Sequence, residues 1–215
     1  MVDKHIDNQF NGFPQEAFQF FEQLALHNNR DWFHAHQEVY EQACRDPMKQ
    51  LVAELGGNSA RTKISRINRD LRFSRETLPY RTYIAAGVNG NYISISPAGL
   101  YVGTGIYKPE PAALERFRRA IDDDHSGQTL QRIVTSLRRK RYQVDTHERL
   151  TSAPRRYPAD HPRIELLRMK GIFAGKTFPP ASWLSAREAL QRIKQVINDV
   201  SPLADWLRLH VGARH

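Results

Sequence analysis

Residues 81–107 read RTYIAAGVNGNYISISPAGLYVGTGIY, and their reading decides the fold. Apolar side chains recur at every second position, the period of a strand with one face against a core. Asn89-Gly90 signals a two-residue hairpin, because a type I′ turn needs positive φ at both central positions. Pro97-Ala98-Gly99 supplies the next turn. Three antiparallel strands result, and their faces can be assigned. Ile84, Ala86, Val88, Ile93, Ile95, Leu100, Val102 and Ile106 make the apolar face. Tyr83, Ala85, Gly87, Tyr92, Ser94, Ser96, Tyr101, Gly103, Gly105 and Tyr107 make the other, small residues punctuated by tyrosines.

That second face has two readings. Small residues let a helix pack close, with tyrosines at its margins. Alternatively the face is open, and Tyr83, Tyr92 or Tyr101 stack bases beside basic residues, each stack contributing about 1–3 kcal/mol in single-strand binders. Gly103-Thr104-Gly105 is not a nucleotide fingerprint, since it lies inside a strand with no glycine-rich turn after it. Glycine there marks a bulge or a close approach of backbone or ligand.

Helical patterns flank the meander. Pro14 sits where a helix start tolerates proline, and Ala17, Phe18, Phe21, Leu24 and Ala25 repeat at helical spacing. Asn28 and Asn29 can cap a second helix whose inner stripe is Trp32, Phe33, His36, Val39, Tyr40 and Ala43. Pro47 breaks or kinks it, Asp46 recaps it, and Gly56-Gly57 stops it. Beyond the meander, one helix follows Pro109 and ends by Asp122-Asp123-Asp124; another carries Leu130, Ile133, Val134 and Leu137 into Arg138-Arg139-Lys140-Arg141. Those four cations either complement the helix dipole or form a phosphate-contacting tip. IELLRMKGIF (164–173) begins as a helix and runs into a short apolar stretch. Two helices close the chain, one on Leu184, Leu190, Ile193, Val196 and Ile197, the other on Leu203, Trp206 and Leu207. The expected fold is α+β: an antiparallel sheet around a three-stranded meander at about 81–107, packed with N-terminal and C-terminal helices. No repeat, low-complexity segment or long linker interrupts it, so residues 1–215 are read as a single domain.

Composition fits a globular chain: 40% hydrophobic, with 3 Trp, 8 Tyr and 10 Phe in 215 residues. No apolar run approaches the roughly 18 residues of a membrane span, and MVDKHIDNQF is unlike a signal peptide, so the expected location is the cytoplasm, away from membranes. Cys44 is the only cysteine, which excludes an internal disulfide framework. Cys44 has no evident activating partner, and no serine sits in a nucleophile-elbow sequence. The net charge of +9 is unevenly spread: residues 1–60 hold 4 Lys/Arg against 9 Asp/Glu, and residues 61–215 hold 28 against 14. Such a basic excess attracts polyanions and phosphorylated metabolites.

The charge concentrates in KISRINRDLRFSRETLPYR, residues 63–81. Lys63, Arg66, Arg69, Arg72 and Arg75 stand three apart, with Arg81 beyond and only Asp70 and Glu76 between them. On an α-helix such residues fan around the axis, about 60° per step, and cannot all avoid the face that buries Ile64, Ile67 and Leu71. Read as a strand through ISRIN and an irregular turn through the rest, the segment can aim several guanidinia at one place. Arginine suits such convergence, because its planar fork gives phosphate or carboxylate paired hydrogen bonds and stays charged. Asp70, held ionised between Arg69 and Arg72, can orient an arginine or act as a base, and Tyr80 adds a neutral donor. The alternative is an ion-pair network in which Asp70 and Glu76 satisfy the arginines around Phe73.

These residues resemble a known family. Arg66-x-x-Arg69-Asp70-x-Arg72-Phe73-Ser74, continuing to Pro79-Tyr80, resembles the signature of a bacterial family catalogued as domain of unknown function 2461. FNGFPQEAFQFF (10–21), NNRDWF (28–33), YVGTGIYKPEP (101–111) and DHPRIELLRMKG (160–171) are similar too, so the resemblance spans nearly the whole chain. It implies a single-domain protein and no assigned activity, and it places the motif on Arg66, Arg69, Asp70, Arg72, Phe73 and Tyr80. Glu76-Thr77 departs from the pattern, where the family leads one to expect a lysine at the second position.

Two functions are carried forward. In the first, Arg66, Arg69, Arg72 and Arg81 cradle an anionic ligand, the phosphate of nucleic acid or of another phosphorylated partner. In the second, an enzyme acts on a small phosphorylated or carboxylated substrate, with Asp70 as base, Tyr80 as proton donor, the arginines as electrostatic stabilisers and His161 as auxiliary acid or base. A concave pocket enclosing Asp70 favours the second; an open, flat basic surface favours the first. A basic protein-binding scaffold is a third reading. No residue spacing requests a metal or cofactor, and the oligomeric state is not legible.

Overall fold

In the computed structural model, residues 9–56, 62–70 and 77–212 are described. Six strands, β1 (Lys63–Ile64), β2 (Ile84–Val88), β3 (Asn91–Ser96), β4 (Gly99–Ile106), β5 (Gln143–Asp145) and β6 (Ile172–Phe178), hydrogen-bond in the order β1-β2-β3-β4-β6-β5. The sheet is open and antiparallel, and the fold is α+β. The chain divides into two compact units, Met1–Tyr101 with Thr177–Lys194, and Val102–Lys176 with Gln195–His215.

The first unit contains the meander's hairpin. Asn89 (φ 49°) and Gly90 (φ 82°) both take the positive φ that a type I′ turn requires. The β2–β3 register pairs Ala86 with Ile93, Ala85 with Ser94 and Gly87 with Tyr92, so the face assignment holds. Ile84, Ala86, Val88, Ile93, Ile95 and Leu100 are buried. Helix α1 (Gln15–Leu26) packs on β3 through its Phe21 and Leu24 side, and α4 (Asp46–Glu54) packs on β2 through Met48 and Leu51. Gly99 (φ 108°) lies where a Cβ would meet the Phe178 carbonyl oxygen at 2.0 Å, so only glycine fits that turn.

The second helix departs from expectation. Asn29 caps α2 (Arg30–Ala35) by accepting from Trp32 N at 2.9 Å, but the helix breaks at His36, resumes for one turn in α3 (Gln37–Val39), and widens to a π-turn over Tyr40–Arg45 before α4. Pro47 opens α4 and lacks the N–H that an α-register would aim at the Ala43 carbonyl, and the wider register falls on the residues just before it. Gly56 (φ 84°) ends α4 as expected, whereas Gly57 lies outside the described residues.

In the second unit, α5 (Pro111–Asp122) and α6 (Asp124–Arg139) form a hairpin. Asp123 caps α6, accepting from Ser126 N and Oγ, so one member of the acidic triplet is a helix cap. Arg163, just before α7 (Ile164–Leu167), is 4% exposed and clasps the end of α5: Nε donates to Ile121 O at 2.6 Å and Nη2 to Asp122 O at 2.8 Å. Gly105 brings backbone close, since a Cβ there would lie 2.3 Å from Ile172 O. Strands β5 and β6 extend the sheet beyond the expected meander.

The expected pair of closing helices is a correction. Leu184 belongs to a 3₁₀ turn (Ser182–Ser185), and α8 (Glu188–Val211) runs unbroken through Pro202. Proline removes the N–H that would bond Asn198 O, and the Ser201 hydroxyl donates to that oxygen instead, at 3.0 Å.

Candidate functional site

Residues 62–70 run antiparallel to 79–87, with a change of register that shapes the site. Lys63 pairs with Gly87, and Ile64 with Ala86. Ser65 continues the ladder on both sides of Ala85: its N donates to Ala85 O at 2.7 Å, and its Oγ accepts from Ala85 N at 3.0 Å. Beyond it, Arg81 N donates to Ile67 O, Asn68 bridges Tyr80, and Arg69 N donates to Pro79 O. Between these two registers a single residue, Arg66, faces three, Thr82, Tyr83 and Ile84. This is a bulge, a device that re-aims side chains where a ladder is interrupted.

Beside the bulge lies a cavity of about 780 Å³ lined by Lys63, Ser65, Arg66, Asn68, Arg69, Asp70, Arg81, Ala85, Ala86, Gly87 and Tyr92. Its volume falls within the roughly 300–1,000 Å³ of small-ligand pockets. Lys63, Arg66, Arg69 and Arg81 therefore share one concavity with a single carboxylate, Asp70, among the described residues. Among the described residues, no Asp or Glu pairs with Lys63, Arg66 or Arg81. Arg69 is tethered: its Nε donates to Tyr80 O at 3.0 Å. Arg81 donates from Nη1 to the Tyr83 hydroxyl at 2.7 Å, with its guanidinium carbon 5.8 Å from the ring centre.

The small-and-tyrosine face forms one side of this cavity, and at Gly87 it is not covered by a helix. Among the described residues a Cβ built there would meet nothing within 4 Å, and Tyr92 is 44% exposed. Tyr101 lies beside Tyr92, ring centres 6.1 Å apart at 57°. Burial, then the neighbouring Tyr92, push the Tyr101 phenol up to about 12.

The structure does not bring every expected site residue together. Tyr80 is 6% exposed, stacks on Phe33 at 4.2 Å and 21°, and does not line the cavity. Its backbone is what serves the site: Asn28 Nδ2 donates to Tyr80 O and Asn28 Oδ1 accepts from Tyr80 N, both at 3.0 Å. Asn28, expected as a cap, is thus a clamp on the cradle's second strand. His161 belongs to the second unit, where its Nδ1 accepts from Arg163 N at 3.0 Å and its Nε2 lies 3.3 Å from Asp122. Arg72, and with it Phe73 and Glu76, lies outside the described residues. Lys140 of the basic tip pairs with Asp199. Cys44 is fully buried, and burial pushes its thiol up, away from the thiolate a nucleophile needs. Lys63, Ser65, Asn68 and Gly87 are lining residues that the sequence reading did not include among the site residues; strand register relative to the meander was the signal that could have found them.

A family model described as "Conserved hypothetical protein (DUF2461)" matches residues 16–206, so the resemblance drawn from the separated motifs stands. No curated protein and no solved structure matches the chain. Among the described residues no helix is long and apolar enough to cross a membrane.

Proposed function

We propose that this chain, which belongs to the DUF2461 family of conserved hypothetical proteins, is a cytoplasmic anion-binding protein that takes a phosphate group in the bulge cavity. The phosphate is that of nucleic acid or of another phosphorylated partner. One observation carries the reading: among the described residues, four cations from two antiparallel segments line one concavity with a single acid. Guanidinium groups fixed by neighbouring backbone and hydroxyl groups lose little side-chain freedom when an anion arrives, which favours binding. The test is calorimetric titration of pyrophosphate at low salt into the wild type and Arg66→Ala. Binding that weakens about tenfold in the variant supports the reading; the same affinity in both proteins overturns it.

A second reading keeps its own observation. Asp70 lies on the cavity lining, as a small-substrate enzyme with an Asp70 base would require. Tyr80 does not supply the acid for that reading, because its ring is buried against Phe33.

A further inference from the structure

Among the described lining residues, Ala85, Ala86, Gly87 and Tyr92 are uncharged, and Lys63 pairs with Gly87 across the strands. There β2 presents Gly87 directly across from Tyr92 on β3. Gly87 has ordinary strand geometry, so the backbone does not require glycine at this position. What its missing side chain leaves is room, since among the described residues a Cβ would touch nothing within 4 Å. An aromatic residue paired with a strand glycine commonly folds over it. Tyr92 does not: it remains 44% exposed while the space over its partner stays open. Tyr101 meets Tyr92 at 57° and so leaves it without a parallel neighbour. Exposed ring, open glycine and nearby arginines stand together on the lining of one cavity.

A phosphate alone would use the cations and leave the Tyr92 ring without a partner. A ligand that fills the whole cavity needs a flat apolar ring joined to its phosphate at short range. Building on the phosphate-binding reading above, we infer that the ligand is a nucleotide, its phosphate held by Arg66, Arg69 and Arg81 and its base lying over Gly87 against Tyr92. Stacking on tyrosine tolerates any base, because every base has a π-face. Recognition is therefore of the nucleotide class rather than of one sequence. A free nucleotide and the end of a single strand offer the same groups.

The experiment compares AMP, ribose 5-phosphate and a 5′-phosphorylated hexa-adenylate on the full chain by calorimetry. AMP is expected to bind roughly tenfold tighter than ribose 5-phosphate. Tyr92→Leu removes that advantage and leaves ribose 5-phosphate unchanged, Tyr92→Phe retains it, and Gly87→Val lowers AMP affinity about tenfold by filling the space. Tighter hexa-adenylate than AMP assigns the site to a strand; equal or weaker binding assigns it to a free nucleotide. If AMP and ribose 5-phosphate bind equally, or Tyr92→Leu leaves AMP binding intact, the base-stacking inference is overturned while phosphate binding survives. If neither compound binds, both readings fall.

Discussion

Arg81 donates from Nη1 to the Tyr83 hydroxyl at 2.7 Å, while its buried Nε has no hydrogen-bond partner among the described residues. An unmet buried donor costs about 1–3 kcal/mol. Arg81 is therefore held at Nη1 and unsatisfied at Nε.

Each cation that contacts phosphate adds its own counterion release. Arg66→Ala and Arg81→Ala should each lower the salt slope for a single-stranded oligonucleotide by about 0.7. Fluorescence anisotropy across a salt series measures it. Weaker binding with an unchanged slope would mean that the arginines shape the site without meeting phosphate.

Among the described residues, Asp70 is the one carboxylate on the cavity lining. Replacing it by Asn removes a like charge from beside the incoming anion, so pyrophosphate affinity should rise several-fold. Calorimetry decides: a fall shows instead that Asp70 holds the arginines in place.

Arg163 joins α7 to the α5–α6 corner through two backbone carbonyls. Arg163→Leu strands both inside the protein and should destabilise it by about 3 kcal/mol, read from the urea midpoint. Pyrophosphate binding should survive where the variant is folded, because the cavity's lining lies in the first unit.

Ser201→Ala leaves the Asn198 carbonyl beside Pro202 without its substitute donor. A loss of about 1 kcal/mol is expected, with fraying of α8 near the proline visible by hydrogen exchange.

Stability should fall at both pH extremes. Tyr101 keeps its proton up to about 12 in the fold, pushed there by burial and then by Tyr92, against an ordinary value of 10.0. Burial moves Tyr40 in the same direction. The folded state binds more protons than the unfolded one across that window, so stability drops as pH rises from about 10. At the acid end, the Arg187 hydrogen bond holds the Glu54 carboxyl below its ordinary 4.5. Its contribution is complete above that value and is lost as pH falls through the lowered one. Thermal melts across pH should show a plateau between these limits.

The hairpin was legible because Asn89-Gly90 and a period of two agree on one register. The outer strands were not: β5 is three residues long, and Gly175 and Lys176 interrupt the apolar run of β6. The closing segment was read as two helices, whereas α8 runs through Pro202, where Ser201 stands in for the missing donor. In the site, charge density identified Arg66, Arg69 and Arg81, and the cavity does gather them. Tyr80 was misjudged because a tyrosine beside arginines looks polar, whereas its ring stacks on Phe33, forty-seven positions earlier in the chain. The bulge opposite Arg66 has no sequence signature, since it arises from two hydrogen-bond registers meeting.

The central claim is that Arg66, Arg69 and Arg81 converge on space an anion occupies. A crystal of the full chain soaked in pyrophosphate tests it directly. Density is expected within hydrogen-bonding distance of at least two of these guanidinium groups, above β2 at Gly87. Arginines turned outward with the cavity left to water, at pyrophosphate concentrations that saturate the protein in solution, would contradict it.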